Sequence, residues 1–302
     1  MDVLKTILYF SIFNYPVTKD EVLKFSNCKT LEEVHLELEN LLEARIICKI
    51  GDYYSKTNNS QFIEKREMGN RMAKKVMPKA LKRAYLISQF PFVKGVAFSG
   101  AFSKGYFDQD GDIDFFIITE ANRLWVARTL LILYKKLFLL NSRKYFCVNY
   151  FLSESALKIS EQNRFTAMEI ATLIPLHGQT HFDLFFKKNN WFLNYFSNIS
   201  TQDKIREICD IRPAWPKQFV EFTLRSKLGD LWENWFRKMT LLRWKSKFPE
   251  LPDEDFKLAM KSTKDVSKHH PKNYQKKVIN SLNELYVQIN ESHQIVLDPE
   301  HA

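Results

Sequence analysis

The stretch from Gly95 to Ile118, GVAFSGAFSKGYFDQDGDIDFFII, constrains the chain more than any other. An apolar run ends in Ser99-Gly100, a small-residue turn follows, and the chain returns as Asp112-Ile113-Asp114-Phe115. Strand alternation puts both aspartates on one face and Ile113 and Phe115 on the other. Two carboxylates at the start of a strand repel each other, and a divalent cation resolves that repulsion. Mg2+ is held by one or two carboxylates plus substrate phosphates, with Mn2+ as the alternative ion. The turn suits phosphate as well. Gly100 allows close backbone approach, and Ser99, Ser103 and Lys104, at an expected helix start, offer hydroxyls, amides and charge. Asp108 and Asp110 read as turn residues. A calcium loop is excluded because no Glu closes it near Ile118 or Thr119.

Around this stretch the pattern is α/β (α+β), a small mixed-sheet core over 91–155 with further segments on either side. Val93–Phe98, Asp112–Thr119 and Tyr145–Leu152 read as strands, and Ala121–Leu140 as a helix. Residues 60–90 form a basic helical connector, with Lys65, Arg66, Arg71, Lys74, Lys75, Lys79, Lys82 and Arg83 on an expected solvated face. Segment 156–302 reads as helical from Ile159 onward. Residues 1–59 read as three helices and a hairpin. The first helix spans 2–13, Thr18 caps the second, and Thr30-x-x-Glu33 opens the third as a capping box. The hairpin turns at Gly51-Asp52. That order resembles a winged helix-turn-helix. Its third helix carries Glu32, Glu33, Glu37, Glu39 and Glu43, so phosphate repulsion argues against a DNA reader and favours a packing or protein-binding module.

The central segment, from Lys94 to Leu152, resembles the DNA polymerase β-like nucleotidyltransferase superfamily, in particular the small bacterial nucleotidyltransferases. Phe98-Ser99-Gly100 leads in, ten residues separate Ala101 from Asp112, and Asp112-Ile113-Asp114-Phe115 closes the motif. Ser103-Lys104-Gly105 resembles the family's Ala-Arg-Gly. The resemblance implies transfer of a nucleoside monophosphate from an NTP, ATP foremost, to an acceptor hydroxyl, with Asp112 and Asp114 as metal ligands and catalytic acids. It also implies phosphate contacts from Ser99, Gly100, Ser103 and Lys104. Two positions depart from the pattern. Ala101 stands where the family has Ser or Gly, and Asn149 stands where its third acid is expected. An amide carries no charge and is no base. Glu154 is an alternative base, and a catalytically inactive regulator or adaptor that binds nucleotide, nucleic acid or a partner protein is the alternative function. A modifier of a partner protein is a further one.

The net charge of +10 suits an anionic partner. The most apolar stretch, Leu124–Leu140, is broken by Arg128, Lys135 and Lys136, which rules it out as a membrane span and places the charges near one face of an amphipathic helix. The N-terminal residues show no secretory cleavage site, and Cys28, Cys48, Cys147 and Cys209 form no CxxC pair, so a reduced, cytoplasmic protein is expected. His269-His270 reads as a basic helix end or a triphosphate contact. His177 and His181 lack a completing ligand. Trp232, Trp235 and Trp244, spaced with Leu228, Leu231 and Met239, read as core packing.

Overall fold

The computed structural model describes residues 1–271, 273–293 and 295–301, with the side chain of Leu258 left aside. The elements run α1 (Asp2–Ser11), β1 (Val17–Thr18), α2 (Lys19–Lys24), α3 (Leu31–Glu43), β2 (Cys48–Ile50), β3 (Tyr53–Ser55), α4 (Ser60–Ser88), β4 (Val93–Ser99) and α5 (Gly100–Ser103). They continue as β5 (Asp114–Thr119), α6 (Leu124–Phe138), β6 (Cys147–Ser153), α7 (Arg164–Thr172), β7 (Ile174–His177), α8 (Gln179–Lys188) and α9 (Thr201–Arg206). Last come α10 (Trp215–Leu224), α11 (Lys227–Lys247), α12 (Asp253–Ala259), β8 (Val266–Lys268) and α13 (Tyr274–His293). The fold is mixed α/β.

Strands β1, β3 and β2 form a small antiparallel sheet in that order. The larger sheet has the order β7-β4-β5-β6-β8, with β5 and β6 parallel and the other pairs antiparallel. Two of its five strands, β7 and β8, come from the segment read as wholly helical, which corrects that reading. At four and three residues, with Pro175 inside β7, they are too short to show a period-2 pattern. Both sheet faces are covered, which explains the unbroken apolar run Phe115-Phe116-Ile117-Ile118. Val96, Phe98, Ile113, Phe115 and Ile117 pack under α4 and α6. Ala97, Phe116, Ile118 and Leu152 face α7 and α8, in a core continuous with α1–α3 and α13.

Thr18 forms a full capping box with Glu21. Thr30 makes only half of the expected one, because Glu33 takes the amide of Lys29 in place of that of Thr30. The basic connector is the single helix α4, but Arg66 leaves the solvated face. It is 7% exposed, forks onto Glu21 with two bonds of 2.8 Å, and lies between the rings of Tyr15 and Tyr53. Arg66 thus ties α4 to the N-terminal elements.

The tryptophan reading is also corrected. Only Trp244 is buried, while Trp232, Trp235, Leu228, Leu231 and Met239 are exposed. Polar contacts set the rotation of α11: Glu233 accepts the amides of Trp125 and Val126 at the start of α6, each at 2.9 Å, and Asp230 pairs with Arg123 at 2.6 Å. Gly229 seats the helix, since a Cβ there would lie 1.8 Å from the Leu224 carbonyl. With that side fixed inward, the apolar stripe faces out. Similarly, Arg128 and Lys135 on α6 are buried, contrary to the amphipathic-face reading, whereas Lys136 is exposed. Among the described residues no helix is long and apolar enough to cross a membrane.

Candidate functional site

Strand β4 ends at Ser99, directly opposite Asp114 in the β4–β5 register. Gly100 follows with φ +66°, and a Cβ at this position would stand 2.5 Å from Asp114 Oδ2. The carboxylate therefore rests against a glycine Cα, and both the backbone angle and the space require that glycine. The turn helix begins here, three residues earlier than the expected start at Ser103-Lys104. Ser103 Oγ donates to the Gly100 carbonyl at 2.9 Å, and Lys104 Nζ donates to the same carbonyl at 3.1 Å and to Glu169 Oε1 at 2.6 Å. Ser103 and Lys104 thus brace the turn, while Ser99 and Gly100 line the adjoining cavity. The Ser99 hydroxyl makes no cap bond to the turn helix.

Ile113 anchors the acid pair from behind. Its N–H donates to the Lys144 carbonyl and its carbonyl accepts from the Cys147 N–H, both at 3.0 Å, with the side chain fully buried. Asp112 and Asp114 flank it and converge with Cys147: a carboxylate oxygen from each and the Cys147 Sγ lie within 4.8 Å of one another. Burial first, and then the negative charge of Asp112, push the Asp114 carboxyl up to about 7. Burial and the same two acids push the Cys147 thiol far above its ordinary range, so without a bound cation it stays protonated. The oxygen-rich remainder fits a hard cation such as Mg2+ or Mn2+ better than a thiolate-seeking one.

Asn149 reaches the pair through an irregularity in β6. Phe115 pairs with Val148 and Phe116 with Tyr150, so Asn149 is the extra residue of a bulge. Its Nδ2 donates to Asp114 Oδ1 at 2.8 Å. The amide at the expected third-acid position therefore orients the second acid.

A cavity of about 110 Å³, open to solvent, lies beside Asp114, between the sheet, α7 and the segment around β8. Its polar lining includes Ser99, Asn149, Glu161, Glu169, Lys268 and His270. Glu169 was not singled out by sequence reasoning; a lone acid in the helix RFTAMEIAT was the available signal. Lys268 and the two histidines next to it divide between two surroundings. His270 lines the cavity, whereas His269 packs on Trp244 at 4.9 Å between ring centroids. Burial above all depresses both rings, His269 to about 3 and His270 to about 4. Both are neutral at pH 7, which corrects their reading as cations.

Glu154 is excluded as the base. It follows the far end of β6, and seven strand residues from Cys147 span about 23 Å. There it accepts from the Ala121 amide at 3.1 Å and pairs with His181 at 2.9 Å. His177 instead contacts the Cys209 carbonyl, so the two histidines share no site. All four cysteines are free: Cys28 and Cys147 are buried, Cys48 half-buried and Cys209 exposed. No protein-family model, curated protein or solved structure matches the chain.

Proposed function

We propose that the chain is a metal-dependent nucleotidyltransferase that transfers a nucleoside monophosphate from ATP or another NTP to an acceptor hydroxyl. The observation that carries this reading is the convergence of Asp112 and Asp114 beside the Gly100 turn, with Asp114 lining a solvent-open cavity. In this reading the mixed sheet is the catalytic core, and α1–α3 with their small sheet form a winged-helix-like module. Asp112 and Asp114 would hold Mg2+ or Mn2+, which supplies charge neutralisation at the transferred phosphoryl group and at the departing pyrophosphate.

The remaining steps belong to side chains. Ser99 Oγ donates to a phosphate oxygen, and Gly100 leaves room for it. Asn149 keeps the Asp114 carboxylate turned toward the site. Glu169 stands in for the missing third acid, positioned by Lys104. As base it takes the acceptor O–H proton while that oxygen bonds to the α-phosphorus and the bond to pyrophosphate breaks. Pyrophosphate release, measured with each NTP and a panel of hydroxyl acceptors, tests the scheme. Turnover by wild type that is abolished in Asp112→Asn and reduced at least tenfold in Glu169→Gln supports it, and turnover surviving in Asp112→Asn sinks it.

A second reading, a binding protein on the same fold, is favoured by one observation, the uncharged Asn149 in contact with Asp114. It predicts metal-dependent nucleotide binding with no pyrophosphate release for any acceptor.

A further inference from the structure

Helix α6 carries Arg128 and Lys135 seven positions, or two turns, apart, and therefore on one face. They are 9% and 8% exposed. The other buried cations among the described residues are partnered: Arg66 with Glu21, Arg123 with Asp230 and Arg164 with Glu300. Among the described residues the side chains of Arg128 and Lys135 have neither a hydrogen-bond acceptor nor a carboxylate partner. Their nitrogens are nevertheless absent from the fully enclosed unpartnered atoms, so they border accessible space.

The guanidinium of Arg128 lies 4.8 Å from the Trp244 ring centroid and 5.6 Å from that of Trp125. An aromatic face offers its charge some stabilisation, but its in-plane N–H groups need oxygen acceptors. The surroundings add positive charge. Arg143, in the loop before β6, acts on both Lys135 and His269, and Lys247 acts on His269 from the end of α11. Cys147 is within electrostatic reach of Lys135 and lies in contact with Asp112 and Asp114.

We propose that Arg128, Lys135 and Arg143 form a binding site for a phosphate group, and that the acceptor in the proposed reaction carries that group. Unpartnered buried cations are unfavourable in the absence of an anion, and a guanidinium fork with a second and third cation matches a phosphate dianion. The phosphate site stands on the cluster alone, while its assignment to the acceptor rests on the nucleotidyltransferase reading. This site lies on the α6 side of the sheet, away from the α7-side cavity that takes the nucleotide in that reading.

The test uses inorganic phosphate and pyrophosphate as probes, by calorimetry and thermal melts, without metal. Wild type, Asp112→Asn, Lys135→Met, Arg143→Met and Arg128→Met are compared. Phosphate should bind saturably to wild type and Asp112→Asn and raise their Tm. Binding should weaken at least tenfold in Lys135→Met and in Arg143→Met, the latter an exposed loop change that leaves folding intact. Arg128→Met, if it folds, should lose the phosphate-dependent rise in Tm. Phosphate binding that is absent from wild type, or unchanged in both the Lys135 and Arg143 variants, overturns the site. If phosphate binds as described but no metal-dependent nucleotide binding is found, the catalytic reading fails and the anion site remains. If nucleotide is transferred equally well to acceptors with and without a phosphate group, the acceptor assignment fails alone.

Discussion

Replacing Asp114 with Asn should make the protein more stable, and only above a particular pH. Burial and the Asp112 charge raise the Asp114 carboxyl from 3.8 to about 7, so the folded chain binds this proton more tightly than the unfolded chain. For a raised acid the favourable contribution is complete below about pH 4 and is lost as the pH climbs through about 7. Three units at about 1.4 kcal/mol each set a ceiling of about 4 kcal/mol, and partial access of water to the site reduces it to about 2–4 kcal/mol. An asparagine carries no charge at any pH and its amide oxygen still accepts from Asn149. Asp114→Asn should therefore match wild type at pH 4 and exceed it at pH 8 by roughly 4–8 °C, at about 2 °C per kcal/mol for a chain of this size. Thermal melts in EDTA from pH 4 to 8 measure the gap. Magnesium should then narrow it at pH 8 by stabilising wild type alone. A Tm difference that stays constant from pH 4 to 8, or a variant less stable than wild type at pH 8, would refute the claim that Asp114 is held in a repulsive, water-poor position.

Gly100→Ala should cost about 1–2 kcal/mol for the left-handed backbone alone. The added Cβ, 2.5 Å from Asp114 Oδ2, should also displace the carboxylate and abolish metal-dependent stabilisation in the same melts. Arg66→Met leaves Glu21 without its fork partner and should cost about 3–5 kcal/mol in urea unfolding, with the N-terminal elements losing hydrogen-exchange protection first. Trp244→Ala should cost about 3–5 kcal/mol, whereas Trp232→Ser and Trp235→Ser should each stay within about 0.5 kcal/mol of wild type. Equal losses at the three tryptophans would contradict the orientation of α11.

The acid pair and its turn were legible in sequence because their geometry is local. A glycine between a strand and a turn places itself by backbone rules, and two aspartates two apart stay close in space, although strand alternation does not set Asp112, which precedes the strand that begins at Asp114. The rest of the site depends on long-range packing. Glu169 arrives on α7 and Lys268 on a three-residue strand, and neither has a local pattern pointing at Asp114. Asn149 faces Asp114 through a single-residue bulge, which no periodicity predicts. The charges on α6 and the tryptophans on α11 were misplaced for a related reason. Their periodicity identifies a stripe, but which stripe turns inward is decided by Glu233, Asp230 and Gly229 meeting Arg123, the start of α6 and the Leu224 carbonyl. Helix ends were more legible where a side chain supplies the missing acceptor, as Thr18 does for α2, than where a distant glutamate does, as for α6.

The most direct test of the central claim is calorimetric titration of wild type and Asp112→Asn with ATP, GTP, CTP and UTP, with and without Mg2+. The account predicts saturable nucleotide binding that requires the metal and disappears in Asp112→Asn, a variant that should remain folded. Absence of nucleotide binding by wild type at any metal concentration, or binding indifferent to Asp112, would contradict it.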